Sequence, residues 1–371
     1  MVDLKSQYDK IKDTVNASIQ EVLDTTTYIN GPLVHEFQKD LEAYLDVKHV
    51  IPCANGTDAL QIAMMGLDLK PGDEVITADF TFAATVEVIA LLQLTPVLVD
   101  VDIVNMNISI EAIKKAITPK TKAIVPVHLF GRAANMEAIM AIAKEHNLYV
   151  IEDNAQAIGA NCKFSDGTKK KAGTIGHVAS TSFFPSKNLG CYGDGGAIFT
   201  NDDDLAHKIR GIVNHGMYVR YHHDVVGVNS RLDSIQAGVL KAKLPFLDAY
   251  GKARQDAARK YSAAFEGHKN IIAPNICDIC DCHVFHQYTL RIIDGDRNGL
   301  MEHLLAKGIP CAIYYPIPLH SQKAYADARY KEEDFPVTNQ LVKEVISLPM
   351  HTELDDEQIK FITDSVLEFF N

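Results

Sequence analysis

Between residues 48 and 201, short apolar runs alternate with segments of helical spacing, and this alternation constrains the fold more than any other feature. The apolar runs are 49–53, 74–78, 96–101, 123–128, 149–153, 179–184 and 197–200. Most are continuous Val, Ile, Ala and Phe rather than strictly alternating, which is how strands covered on both faces read. Segments 57–67, 82–92, 110–117 and 136–146 between them have helical spacing. The pattern predicts an α/β fold with a mostly parallel sheet covered by helices.

After about Leu244 the pattern changes. A long helical stretch over 230–265 leads to a strand at 286–293, a helix at 297–307, a strand near 309–313 and helical patterns at 339–346 and 355–370. This predicts a large domain over 1–245, with an N-terminal helix, and a smaller α+β domain over 246–371. Lys169, Lys170 and Lys171 sit in a Gly/Asp/Lys-rich stretch that reads as a solvated hairpin.

The 371 residues carry 36 Lys and Arg against 48 Asp and Glu, a formal net charge of −12, which argues against binding nucleic acid or an anionic membrane. The apolar stretch 86–99 is interrupted by Glu87 and Gln93 and is too short to span a bilayer, and residues 1–13 lack the apolar region of a signal peptide. Seven cysteines, an odd number, fit reduced thiols better than a disulfide framework. The expected location is the cytoplasm.

Three segments carry candidate chemistry. Asn55, Gly56 and Thr57 follow a predicted strand and open a helix; this reads equally as an anion site with close backbone approach or as a plain helix cap. Glu152-Asp153-Asn154-Ala155-Gln156 ends an apolar strand, where open α/β sheets bind ligands, although Asp153 also suits a helix cap. Ser182-Phe183-Phe184-Pro185-Ser186-Lys187 places one lysine in a loop after an apolar strand. A partly desolvated lysine has a lowered pKa and can form a Schiff base, whereas an ordinary loop lysine points to water.

Together these pieces, with the aromatic segment Phe80-Thr81-Phe82, describe a pyridoxal 5′-phosphate site. Lys187 would form the imine, and Asp153 would keep the pyridine nitrogen protonated so that the ring acts as an electron sink. The order and spacing resemble the DegT/DnrJ/StrS-type nucleotide-sugar aminotransferases, of the fold-type I pyridoxal phosphate enzymes. The resemblance runs from Val2-Asp3-Leu4 to the final helix and is most specific at 152–156, 182–196 and Gly227-Val228-Asn229-Ser230-Arg231-Leu232-Asp233.

The resemblance implies that Gly56, Thr57 and Ser182 bind the phosphate, Phe82 stacks on the pyridine, Asp153 pairs with its nitrogen and Gln156 faces its hydroxyl. It implies that Asn229 reaches the phosphate of the other subunit, in a homodimer with shared active sites; read alone, Asn229 is a turn residue. Related dehydratases have histidine in place of Lys187, so lysine favours amino transfer, with Lys187 also the general base. On the substrate side, the loop Arg220-Tyr221-His222-His223 is a candidate clamp, with Arg220 and His222 for a diphosphate or a carboxylate. Arg231, Tyr314, Tyr315 and His320 are further candidates; Arg231 would otherwise pair with Asp233, and His320 would otherwise be a core histidine. Many relatives have histidine where this chain has Tyr314. The loop sequence most resembles enzymes that aminate C3 of a UDP-linked 3-keto-N-acetylhexuronic acid with glutamate, for surface-polysaccharide sugars. Amination of a dTDP-linked keto-6-deoxyhexose, at C3 or C4, is the competing reading.

Two other readings fare worse. Gly193-Asp194-Gly195-Gly196 precedes a strand and is not a dinucleotide fingerprint. Cys277, Cys280, Cys282, His283 and His286 offer zinc ligands, but their spacing fits no standard finger, so a loop without metal is expected. A cofactor-binding sensor without turnover is the remaining alternative, and the presence of every expected reacting group argues against it.

Overall fold

The computed structural model describes residues 1–276 and 282–370. Two helices, α1 (Leu4–Thr25) and α2 (Pro32–Leu45), precede strand β1 (His49–Cys53). Then follow α3 (Gly56–Gly66), β2 (Glu74–Ala78), α4 (Ala84–Leu91), β3 (Thr95–Val99), α5 (Ile110–Ala116), β4 (Thr121–Val125), α6 (Met136–His146) and β5 (Tyr149–Asp153). A hairpin of β6 (Asn161–Lys163) and β7 (Lys169–Lys171) leads to β8 (Val178–Ser182), β9 (Gly196–Thr200) and α7 (Asp203–Ile212). A second hairpin, β10 (Met217–Val219) and β11 (His222–His223), precedes α8 (Ser234–Lys243).

The main sheet has the order β1-β9-β8-β5-β4-β2-β3. All neighbouring pairs are parallel except the two that involve β9, which runs against β1 and β8. Both faces are covered, and adjacent residues of one strand enter opposite cores. Ile76, Ile124 and Val150 pack with Ile113 and Ile139 on one side. Val75, Val125 and Ile151 pack with Leu60, Ala63 and Ile209 on the other. That two-sided burial is why the strands read as unbroken apolar runs.

The remaining elements are α9 (Leu247–Ala264), β12 (Ile271–Ile272), β13 (Tyr288–Ile292), α10 (Arg297–Ala306), α11 (Pro336–Glu344), β14 (Val345–Leu348) and α12 (Asp356–Phe369). The antiparallel sheet β12-β13-β14 forms a separate core with Tyr261, Leu300, Leu304, Ile359 and Ile362. Leu244 and Leu247 still pack in a large-domain core, so the change of core falls within α9. Among the described residues, no helix is long and apolar enough to cross a membrane.

Several sequence expectations shift. The 230–265 stretch is two helices parted by a 3-10 turn at Leu244–Phe246, because Pro245 lacks an N–H and its ring clashes with the preceding turn. Strand β4 ends at Val125 because Pro126 cannot donate to the ladder. The 339–346 helix gives way to β14 at Val345, whose apolar run pairs with β13. Residues 309–313 make only a bridge, Ala312 to Ser347. The Lys169–Lys171 strand does form the expected hairpin, but Lys171 turns inward over the Tyr44 ring at 4.7 Å.

Candidate active site

A cavity of about 660 Å³ opens at the carboxyl ends of β2, β5 and β8, with residues 286–287 and 313–316 also in its wall. Gly56, Thr57, Phe82, Asp153, Gln156, Ser182, Lys187, Tyr314 and Tyr315 all line it. All but Tyr314 and Tyr315 arrive by a short path from a strand end of the main sheet, the place where parallel strands leave side chains free to converge.

One end of the cavity is built for an anion. Asn55 caps α3, its Oδ1 accepting the Asp58 N–H at 2.8 Å, so the N–H groups of the preceding two residues lack intrahelical acceptors. A Cβ on Gly56 would stand 2.7 Å from Ser182 Cβ, so only glycine lets α3 approach β8 this closely. Asp58 does not face this cradle with its charge unpaired, because its Oδ2 accepts the Ser230 hydroxyl at 2.7 Å.

The other end holds the acid and the amine. Asp153 is 5% exposed; its Oδ2 accepts the Thr85 hydroxyl at 2.8 Å and its Oδ1 the Ala155 N–H at 3.1 Å. Lys187 extends into the same cavity, where loss of water lowers its pKa to about 8 and the Asp153 charge opposes part of that fall. Such an amine is free as a nucleophile or base far more often near neutral pH than an ordinary lysine. Gln156 is held at both ends, its Oε1 by the Phe130 N–H (2.6 Å) and its Nε2 by Tyr315 Oη (3.1 Å). Phe82, 56% exposed, forms the lip and lies 6.2 Å from the Tyr315 ring.

The other candidates lie elsewhere. Arg220 sits on the exposed second hairpin, 4.9 Å from the Tyr221 ring and bonded to its hydroxyl, with His222 beside it. Asn229 bridges to Asn214, and neither it nor Arg231 lines the cavity. His320 is tied to Asp79 and is likewise absent from the lining. Cys277 and Cys280 of the zinc-like cluster lie outside the described residues; His283 stacks on Phe285 (3.7 Å, 12°) and His286 lines the cavity.

Sequence reasoning missed Thr85, hidden in an apolar helix pattern, and Gln287, near the start of a strand; it weighed His286 only as a zinc ligand. Buried Thr81 Oγ1, His286 Nδ1 and Gln287 Oε1 belong to lining residues and have no partners among the described residues. Unpaired buried polar atoms are costly, so a polar ligand suits this cavity. Cradle, acid, amine and unpartnered polar side chains fit the groups of pyridoxal 5′-phosphate.

The DegT/DnrJ/EryC1/StrS aminotransferase family model matches residues 9–367. The chain belongs to this family. It is 45% identical to a "Pleiotropic regulatory protein" of Geobacillus stearothermophilus, over 100% of this chain and 98% of the relative. It is 47% identical to the UDP-2-acetamido-2-deoxy-3-oxo-D-glucuronate aminotransferase of Pseudomonas aeruginosa, over 97% of each chain. The UDP-N-acetyl-3-dehydro-alpha-D-glucosamine 3-aminotransferase of Acidithiobacillus ferrooxidans is 44% identical, over 97% of this chain and 94% of the relative. Among solved structures, NtdA of Bacillus subtilis with bound cofactor PMP superposes with a TM-score of 0.88 at 29% identity, covering 97% of this chain and 82% of that one.

The protein is a pyridoxal phosphate-dependent nucleotide-sugar aminotransferase. When bound, the cofactor supplies a carbonyl that takes up the amino group and a ring that withdraws electrons. Every other part of the chemistry falls to the chain. Thr85 and the Ala155 N–H hold Asp153 in place, Gln156 braces Tyr315, and burial keeps the Lys187 amine available for proton transfer.

Proposed function

We propose that this enzyme transfers an amino group from glutamate to C3 of a UDP-linked 3-keto-N-acetylhexuronic acid, in the cytoplasm, for surface-polysaccharide sugars. The observation that carries the reading is the 47% identity, over nearly the whole of both chains, to an aminotransferase named for a UDP-3-oxo-glucuronate sugar. In this reading Gly56, Thr57 and Ser182 take the cofactor phosphate, Phe82 stacks on the ring, and Asp153 and Gln156 meet its polar edge. Tyr314 and Tyr315 face the sugar.

The active site is completed by a second copy. Asn229, Arg231, Arg220 and His222 are off their own chain's cavity, and Tyr221 and Val226, 75% and 85% exposed, leave an apolar hairpin surface to be covered. A homodimer that crosses these loops supplies positive charge for a diphosphate and a carboxylate.

The test is a panel of UDP- and dTDP-linked keto-sugars with glutamate. The acidic UDP-3-keto-sugar should turn over fastest; a preference for a neutral dTDP-sugar, or for UDP-3-keto-N-acetylglucosamine, would reject the hexuronate. Mixing Lys187→Ala with Asn229→Ala subunits should restore activity that neither variant has alone, and failure to do so would reject the shared site. Glutamate alone should convert the bound cofactor's absorbance from the aldehyde to the amine form, which a sensor without turnover would not do.

A further inference from the structure

Strand β2 runs out into Asp79, a fully buried carboxylate whose two oxygens both go to a single residue of the small-domain arm. Oδ1 accepts the His320 backbone N–H at 2.7 Å, and Oδ2 shares a 2.7 Å hydrogen bond with His320 Nδ1. The Leu319 N–H adds a bond to the Asp79 carbonyl at 3.3 Å. The far face of the imidazole stacks on Phe335, 4.4 Å between centroids with 7° between planes. So rigid an attachment, made with a buried charge, is expensive to leave half-made.

Two short links connect this anchor to the cavity wall. Only Pro316, Ile317, Pro318 and Leu319 separate His320 from Tyr315, and the two prolines fix φ in half of that span. On the other side Asp79 is followed by Phe80, whose ring sits edge-on to Phe130 (6.3 Å, 85°) and to Tyr315 (6.1 Å, 73°). Phe130 bonds Gln156 through its N–H, and Gln156 bonds Tyr315. The contacts therefore close a circuit from Asp79 through His320, Tyr315, Gln156, Phe130 and Phe80 back to Asp79. Tyr315 and Gln156 are members of the circuit that line the cavity, and Phe82 follows Phe80 by two residues.

We propose that His320 is a positioning residue for amino transfer: locked to Asp79, it sets Tyr315 and the Phe80–Phe82 wall, and it does not touch the sugar. The inference rests on the aminotransferase chemistry and is independent of which keto-sugar is used. It predicts a defect before any sugar arrives, whereas a sugar contact predicts none at that stage.

His320→Phe keeps a ring on Phe335 but removes the bond to Asp79, while His320→Asn keeps a side-chain donor close to the position of Nδ1. Cofactor affinity is measured by titrating the cofactor-free protein, and the glutamate half-reaction by single-turnover absorbance without nucleotide-sugar. Because small misplacements at a reacting centre cost up to ~10²-fold, His320→Phe should weaken cofactor binding and slow the half-reaction by about 10- to 100-fold each. His320→Asn should return both to within about threefold of wild type. An unchanged half-reaction in His320→Phe, with only the KM for the nucleotide-sugar raised, would overturn the proposal in favour of a sugar contact. Equal losses in Phe and Asn variants would also overturn it. Should His320→Phe fail to fold, Asp79→Asn carries the same two readouts, and wild-type values there reject the role. A wild-type enzyme inert toward glutamate would defeat the transaminase reading instead, and cofactor affinity alone would then decide for or against His320.

Discussion

Glu152 and His128 form a fully buried pair, 2.8 Å between Oε2 and Nε2, one residue ahead of Asp153. His128 Nδ1 accepts the Ala134 N–H at 3.0 Å, so Nε2 carries the proton and donates it to Glu152. The carboxylate also accepts N–H groups of Gly173, Ile175 and Gly176 at 2.6–2.7 Å. Glu152 thus ties the 173–176 turn to the strand that presents Asp153.

Burial alone would push the Glu152 pKa up, but the bond from His128 and those from Gly176 and Gly173 pull it further the other way, below 4.5. A lowered carboxylate stabilises the fold above its unfolded pKa and loses that contribution as pH falls through the folded one. Glu152→Gln should therefore cost about 2–3 kcal/mol near neutral pH, since an amide turns a donor toward backbone donors. Urea unfolding of the cofactor-free variant checks this, and its deficit against wild type should shrink below pH 4.5.

Lys187 gives a slope of the same sign in a higher pH window. Its pKa of about 8 lies below the ordinary 10.5, so the unfolded chain binds more protons between those values and this group adds stability as pH rises from 8 to 10.5. In the cofactor-free protein, the rate of Lys187 modification by an amine-selective reagent should rise about tenfold per pH unit up to about 8 and then level off. Peptide mapping by mass spectrometry gives the midpoint; one near 10.5 would contradict the desolvated site. Lys187→Ala should cut turnover by at least ~10²–10⁴-fold while leaving the unfolding transition in place.

How much of this was legible in the sequence follows from the range of the forces involved. Parallel strands buried on two faces leave an apolar run that any reader of the chain can see; Asp153 ends one such strand, and Lys187 follows the end of β8 by five residues. The end of a run is harder to place, because Pro126 and Pro245 act through one missing donor each rather than through a pattern. The start of the Val345–Leu348 run, at 345–346, fits the end of a helical pattern because its partner β13 lies more than fifty residues away in sequence. Thr85 and Asp79 were invisible for the same reason: their partners, Asp153 and His320, are assigned only by tertiary structure.

Thr85 offers a narrow test of how Asp153 is held. Its hydroxyl donates to a carboxylate in a nearly dry site, where a charge-assisted hydrogen bond contributes about 1.5–3 kcal/mol. Thr85→Val keeps the shape and should lower kcat about tenfold, with the KM for glutamate changed less. Thr85→Ser, which keeps the hydroxyl, should stay near wild type. If the Val variant matches wild type in single-turnover kinetics, the hydroxyl does not position the acid.

The same substitution at two glycines should have opposite signs. A Cβ on Gly56 would meet Ser182 Cβ at 2.7 Å and its Cα at 3.2 Å, and the Cα is backbone that cannot swing aside. Either α3 or β8 must retreat, and the cradle proposed for the cofactor phosphate lies between them. Gly56→Ala should therefore cost about 1–3 kcal/mol of stability, as overpacking does, and raise the cofactor dissociation constant at least about tenfold. Gly251 lies inside α9, where a new Cβ would find only a Val284 methyl at 3.9 Å. Gly251→Ala should stabilise the protein by about 0.5–1 kcal/mol, because alanine loses less backbone freedom in a helix, and leave cofactor affinity unchanged. Chemical unfolding with cofactor titration on both variants separates the two cases; a Gly56→Ala protein with wild-type affinity would mean that the anion is held elsewhere than at this helix start.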